Sequence, residues 1–536
     1  MDRRSFLKSA ATSAALASGG LMAGGLTMPT IARAADNKVL RFVPQANLAN
    51  LDPIWTTLYV VRNASLLFYD TLYGVNSQLQ PQPQMCAGHQ LSSDGLTWTF
   101  KLRDGLKFHD GSPVASKDCV ASIKRWMARD GMGQMIHAQL NEISAVDDKT
   151  FRIALKKPFP KMLYALGKVG TPVCFIMPEH VAMTDPFKPI SDYTGSGPFK
   201  FNKAAWVPGA SAVFEKFTDY VPRPEKASWL AGGKRVNFDR VEWKIIPDAA
   251  TAGAALQSGE VDWWESPIND LIPTLKANKG VAVGISDPLG NIGDCRFNHL
   301  YPPFNDVRVR RAVLMAANQD HYMEAVSGDD HSLWSDLDSY FTPGTPFSTN
   351  YGGKILSERN IAAARKLITE AGQMGAKVVM LVGTDLPIIK AQSDVTNDLL
   401  TKLGFKVDYV ATDWATVGSR RASKAAPDKG GWNVFHTWHA GVDCVNPAAD
   451  IAIYANGPGA WFGWPSSPPL QAKIEEWFNA TDDTAQKEAM KQINKGSADF
   501  GTFLPTGFFK FYQAWRTNIH GVVQAPFPSV WDVTKS

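Results

Sequence analysis

The chain has 536 residues and almost balanced charge, 55 Lys and Arg against 51 Asp and Glu, for a net +4. Four basic residues (Arg3, Arg4, Lys8, Arg33) and one acid (Asp2) fall in the first 35 positions, so three of those four charges belong to the leader. The nearly neutral remainder offers no electrostatic case for nucleic acid or anionic lipid as a partner. Its length suggests two to four lobes, each able to bury a core. No later window has the length and apolarity of a spanning helix.

The first elements in chain order are those of an export leader. Arg3-Arg4-Ser5-Phe6-Leu7-Lys8 is followed by a weakly apolar run to Met28 and the small-x-small triplet Ala32-Arg33-Ala34. This is the layout of a cleavable secretory signal, and its paired arginines resemble the twin-arginine class. Gly19, Gly20, Gly24 and Gly25 break the run, which makes it a poor membrane anchor. The reading is a signal over 1–34, cleaved near Ala34, and a mature chain in the periplasm. Val39–Val43 then reads as a strand, with a turn through Leu51-Asp52-Pro53. Leu96–Leu102 alternates as a half-buried strand, and Ser116–Arg129 reads as a helix. Val241–Ile246 is a short strand, and Ala249–Ser258 a helix ended by Gly259. Val261-Asp262-Trp263-Trp264 reads as an apolar strand end. Asn305 or Asp306 caps a helix carrying Val309, Ala312, Val313 and Ala316 at i, i+3, i+4, i+7. Strand 377–382, helix 389–403 and strand 405–410 form a βαβ unit, which implies a parallel pair. Helices occupy 470–494, and strands return between 503 and 531.

The five cysteines (Cys86, Cys119, Cys174, Cys295, Cys444) are scattered without CxxC or Cys/His spacing, so buried thiols are expected. No Walker loop, HExxH or dinucleotide fingerprint is present. Gly195-Ser196-Gly197-Pro198-Phe199 lacks the Gly-x-Ser-x-Gly spacing of a nucleophile elbow. The expectation is a protein that is not an enzyme and has no cofactor and no metal.

Four blocks carry a resemblance that spans most of the chain. The first runs from Tyr69-Asp70-Thr71-Leu72 through Ser93–Gly105 and Lys107–Val114 to Asp118 and Ser122. The second is Gly195–Phe199. The third is Ile246-Pro247-Asp248-Ala249 with Leu256–Asp262, and the fourth is Phe297-Asn298 with Pro303–Ala312. In this order they resemble the family 5 extracellular solute-binding proteins of peptide and nickel ABC importers. The resemblance implies an α/β, two-lobed periplasmic binding protein fold with hinge strands and an extra β-rich subdomain near 66–190. It places lobe I at 36–298 plus 505–536 and lobe II at 299–504. It also implies a monomer that closes about a hinge on a small polar solute, a short peptide or amino-acid-like compound, and delivers it to an inner-membrane ABC permease. A metal chelate, an opine or an oligosaccharide is the alternative ligand, and a secreted hydrolase the alternative class.

Matching the family's ammonium-binding aspartate through Asn446-Pro447 places Asp443 at the acid position. Asn446 replaces the family's usual acidic residue there, and the spacing from Trp438 is longer than usual. The other use of Asp443 is to cap a turn. Trp438 and His439 end the strand Trp432–His436, where α/β lobes place ligands. His436 and His439 are expected to share a strand face, which suggests a metal pair, but no Cys or Glu completes it. On lobe I, one of Trp263 and Trp264 is expected in the cleft, with Glu265 as a second anion. Arg296 and Asn298 are candidates near the hinge, and Tyr59 is a candidate on the first lobe.

Overall fold

The computed structural model describes residues 37–536; the expected leader and its cleavage point lie outside the described residues. Two mixed sheets organise the chain. The first has seven strands in the order 199–201, 211–216, 240–244, 39–43, 263–264, 512–516, 281–285. The second has six, in the order 334–335, 504–509, 291–297, 434–440, 377–383, 406–412. The βαβ expectation holds: Lys377–Gly383 and Lys406–Thr412 pair in parallel around the helix Pro387–Leu403. Gly404 ends that helix in the left-handed conformation, as Gly259 ends Ala249–Ser258.

The chain passes between the two sheets at 286–290 and again at 510–511, and the flanking strands are antiparallel on both sides. Strands 291–297 and 504–509 therefore both belong to the second sheet, whereas the resemblance assigns 291–298 and 505–509 to the first lobe. A separate antiparallel sheet of strands 86–91, 97–102, 150–155 and 140–145 packs under the helix Ser116–Met127. It forms the β-rich subdomain.

Local chemistry explains several of the sequence blocks. A Cβ built on Gly195 would lie 1.7 Å from the Phe68 carbonyl oxygen, and one on Gly197 2.7 Å from the Phe68 carbonyl carbon. The Gly-Ser-Gly block is thus a backbone-to-backbone packing device. Asp52 makes a buried bidentate pair with Arg125 (2.8 and 3.1 Å). It also accepts the amides of Ile54 and Ile190, which ties the turn at 51–55 to the subdomain helix. All five cysteines are buried and unbridged. Among the described residues, no helix is long and apolar enough to cross a membrane.

Asp52→Ala would strand the Arg125 guanidinium in a dry site. Breaking a buried pair from one side costs about 3–5 kcal/mol. A urea midpoint that falls accordingly, at an unchanged slope, is the expected outcome.

Candidate functional site

The helix Tyr59–Phe68 and the segment before it face the C-terminal end of strand Val434–Ala440 across the gap between the sheets. Contact is direct. The Tyr59 hydroxyl donates to Asp443 Oδ2 at 2.5 Å and accepts the Ala440 amide at 2.8 Å. Asp443 sits in the 3₁₀ turn Gly441–Cys444 and is buried. Its Oδ1 has no partner, and a Cβ at Gly170 would lie 2.5 Å from it, so the lobe I backbone closes directly over this carboxylate. Asn446, not Asp443, caps the following turn, by accepting the amides of Ala448 and Ala449.

Tyr59 and Trp438 divide the space between the lobes. On one side is a narrow cavity whose lining includes Thr57, Thr171, Trp414, Arg421, His439 and Trp461. On the other is a compartment whose lining includes Arg62, Asn63, Glu265, Asp287 and Gln513.

Sequence reasoning missed Arg421, which follows the helix Trp414–Arg420. Its guanidinium is buried and lies 4.7 Å from the Phe462 ring centre, 5.3 Å from Trp461, and 5.7 Å from Trp414 and Phe435. Nη2 donates to Thr57 Oγ1 at 3.0 Å, and Nε has no partner. Burial pulls its pKa down to about 9, opposed by the nearby Asp294 carboxylate. An arginine depressed this far is held in a dry place without a full counter-charge.

His439 Nε2 pairs with Asp294 Oδ2 at 2.9 Å, and its ring lies edge-on to Trp461 at 5.3 Å. Asp450 lies in the same buried network. Burial raises its carboxyl to about 7, opposed by His439 and reinforced by Asp443 and Asp294. Glu265 accepts the Gln45 amide at 2.8 Å and the Asn63 Nδ2 at 2.7 Å, and burial still pushes it up to about 7.

The remaining candidates lie elsewhere. Trp263 packs edge-on to Phe42 and donates to Gln513 Oε1, while Trp264 packs on the opposite face against Ala252, Leu256 and Leu275. Neither lines the cleft, because this sheet is covered on both faces, so consecutive residues are both buried. Arg296 is fully buried behind Trp461, donating to the Phe462 and Ala452 carbonyls, and makes no contact with a carboxylate. Asn298 is a strand-end bracket, donating to the Trp432 carbonyl and accepting the Leu300 amide. His436 and His439 stand three residues apart, so they face opposite sides of the strand. His436 pairs instead with Thr396 Oγ1 at 2.8 Å, and the metal pair dissolves. Among the described residues no cluster of three His, Cys, Asp or Glu could hold a metal.

Two predictions follow from these contacts. Tyr59→Phe leaves both Asp443 oxygens unpaired in a dry site, a loss of about 1–3 kcal/mol; differential scanning calorimetry on the purified protein reads it. The second concerns pH. The unfolded chain releases the Glu265 proton near pH ~4.3, whereas the folded chain releases it near 7. Between those values the native state holds a proton that the unfolded state has lost. This contribution is complete below the lower value and falls as pH rises through the upper one. Glu265→Gln should flatten that fall by up to about 1.4 kcal/mol per pH unit, measured as urea stability between the two pH values. An unchanged slope would mean that Glu265 titrates as a solvated acid.

Comparison with known proteins agrees with this architecture. The family model described as bacterial extracellular solute-binding proteins, family 5, middle region, matches residues 80–458. The chain is 34% identical to a probable peptide ABC transporter periplasmic-binding protein of Sinorhizobium fredii, over 96% of this chain and 98% of that one. It is 26% identical to a glutathione-binding protein of Pectobacterium atrosepticum, over 89% and 87%. In fold it resembles the agropinic acid complex of AgaA from A. tumefaciens R10, with TM-score 0.78, 19% identity and coverage of 93% and 99%. It also resembles the ABC transporter-associated periplasmic binding protein DppA from Helicobacter pylori in complex with the peptide STSA, with TM-score 0.77, 20% identity and coverage of 93% and 98%. The chain, with its two lobes and the cleft between them, belongs to the family 5 extracellular solute-binding proteins.

Proposed function

We propose that this protein works in the periplasm, after export through its leader, as the solute-capturing component of an ABC importer. It closes over a small carboxylate-bearing solute, a short peptide or amino-acid-like compound, and presents it to an inner-membrane permease. The observation that carries the reading is Arg421. A buried guanidinium in an aromatic cage, with an unpartnered Nε and a face on the interlobe cavity, is a receptor for an anion. A planar guanidinium pairs with a carboxylate through two parallel hydrogen bonds. Trp414 and Trp461 beside it offer flat surfaces for the rest of the solute. The peptide class is supported by the names of the Sinorhizobium and Pectobacterium relatives.

No covalent chemistry is required of the site. Binding proceeds by desolvating charges that find partners only once both lobes contribute: Thr57 and Tyr59 from one, Arg421, Trp438 and Asp443 from the other. A solute that bridges them favours the closed state by its differential contact with it.

Native mass spectrometry of protein isolated from its own periplasm identifies the retained solute. That solute should raise the melting temperature with concentration. Arg421→Gln should weaken its calorimetric affinity by roughly thirtyfold or more, the cost of truncating one side of a buried charge pair. An affinity within about threefold of wild type, less than 1 kcal/mol, would remove the carboxylate from the Arg421 side.

A further inference from the structure

The compartment on the far side of Trp438 holds an unbalanced charge. Its lining contains two carboxylates, Glu265 and Asp287, and one cation, Arg62. Both Glu265 oxygens are held by protein donors. Asp287 is different: Oδ1 accepts the Leu289 amide at 3.0 Å, but Oδ2 has no partner, on a residue only 5% exposed. Arg62 makes no bond to either carboxylate, and its Nη1 has no partner. Its Nε and Nη2 donate to Asn63 Oδ1, Nη2 also donates to the Pro526 carbonyl, and its plane lies over the Tyr59 ring.

Asp287 also occupies a special place in the chain. It lies in the 286–290 crossing between the two sheets, and the second crossing contributes Phe511 to the same compartment. Resting on the reading of the cleft as a solute site, we propose that this hinge-side compartment takes the ammonium group of the solute, with Asp287 Oδ2 as its anchor and Glu265 as the flanking anion.

An unpaired buried carboxylate oxygen is costly, and an ammonium supplies the missing donor through a short charge-assisted bond. Asp443 is less available for the role because its unpaired Oδ1 lies directly under the Gly170 backbone, where an added Cβ would come within 2.5 Å of it. A cation held at Asp287 acts on the segment that connects the lobes, so its binding is coupled to their closure.

The test titrates propylammonium chloride, with 1-propanol as the uncharged counterpart, into the mature protein and follows tryptophan fluorescence. Trp438 reports because it packs edge-on to Phe511, 5.5 Å between ring centres, at the rim of the compartment. The expected result is a saturable change with propylammonium and none with propanol at equal concentration. Asp287→Asn should weaken the ammonium response roughly tenfold or more, and by more than Asp443→Asn does. If Asp287→Asn does not fold by circular dichroism, Glu265→Gln is read in its place, with the same direction expected. No saturable response in wild type, an equal response in the Asp287 variant, or a loss confined to the Asp443 variant each overturns the proposal. A retained solute that depends on Arg421, in a protein unresponsive to ammonium, would leave solute capture standing and remove only this assignment.

Discussion

The Tyr59 hydroxyl reaches Asp443 across the two lobes, and that contact shuts the cleft over charges that water would otherwise solvate. Arg421, Asp443 and Asp287 each keep a polar atom without a partner, and Glu265 and Asp450 are pushed toward their protonated forms. Desolvation without compensation opposes closure. The closed cleft is therefore favourable only as far as a few internal bonds, or a solute, replace the lost water. A site with orphaned donors and acceptors on both lobes is biased to close on a molecule that satisfies them, which is the energetic basis of ligand-driven closure.

Much of the fold was legible because its signals are local. The helix Ala249–Ser258 is bounded by Asp248, whose side chain accepts the Thr251 amide, and by left-handed Gly259, so both ends are written in the sequence. The unit 377–412 combines apolar strands with a periodic helix and a glycine stop. Trp263 and Trp264 defeated the same logic. Alternation predicts one face in and one out, but it fails for a strand covered on both sides. One face packs on Phe42, and the other on the helices around Ala252 and Leu275. Nothing within four residues of the tryptophans encodes that second cover.

Asp443, expected from the family's chain order, Trp438, expected from its place at a strand end, and Tyr59 all lie at the gap between the sheets. Residues brought together only by convergence were not legible. Arg421 follows Arg420 at the end of a helix, where a basic pair reads as a solvated complement to the helix dipole. Its cage comes from Trp414, Phe435, Trp461 and Phe462, residues as much as 48 positions apart in sequence order (414 to 462). Asp287 carries a similar disguise. In Asp287-Pro288-Leu289-Gly290 it reads as a turn residue, and one oxygen does serve the turn. Only the three-dimensional placement shows that the other is buried without a partner.

Charge is distributed unevenly around the dividing residues. On the Arg421 side the lining and its neighbour cavity present Arg421, Arg129 and Lys424 among aromatic rings, with no carboxylate in either lining. On the Asp287 side the acids outnumber the single arginine. Under the proposed assignment, a solute lies with its anionic end toward Arg421 and its cationic end toward the crossing strands. Specificity would then rest on length as much as on charge. Such a solute must reach past Tyr59 and Trp438 to satisfy both ends, and one too short would leave a buried carboxylate or guanidinium unpaired. That penalty, applied at one end or the other, would distinguish solutes that share the same end groups.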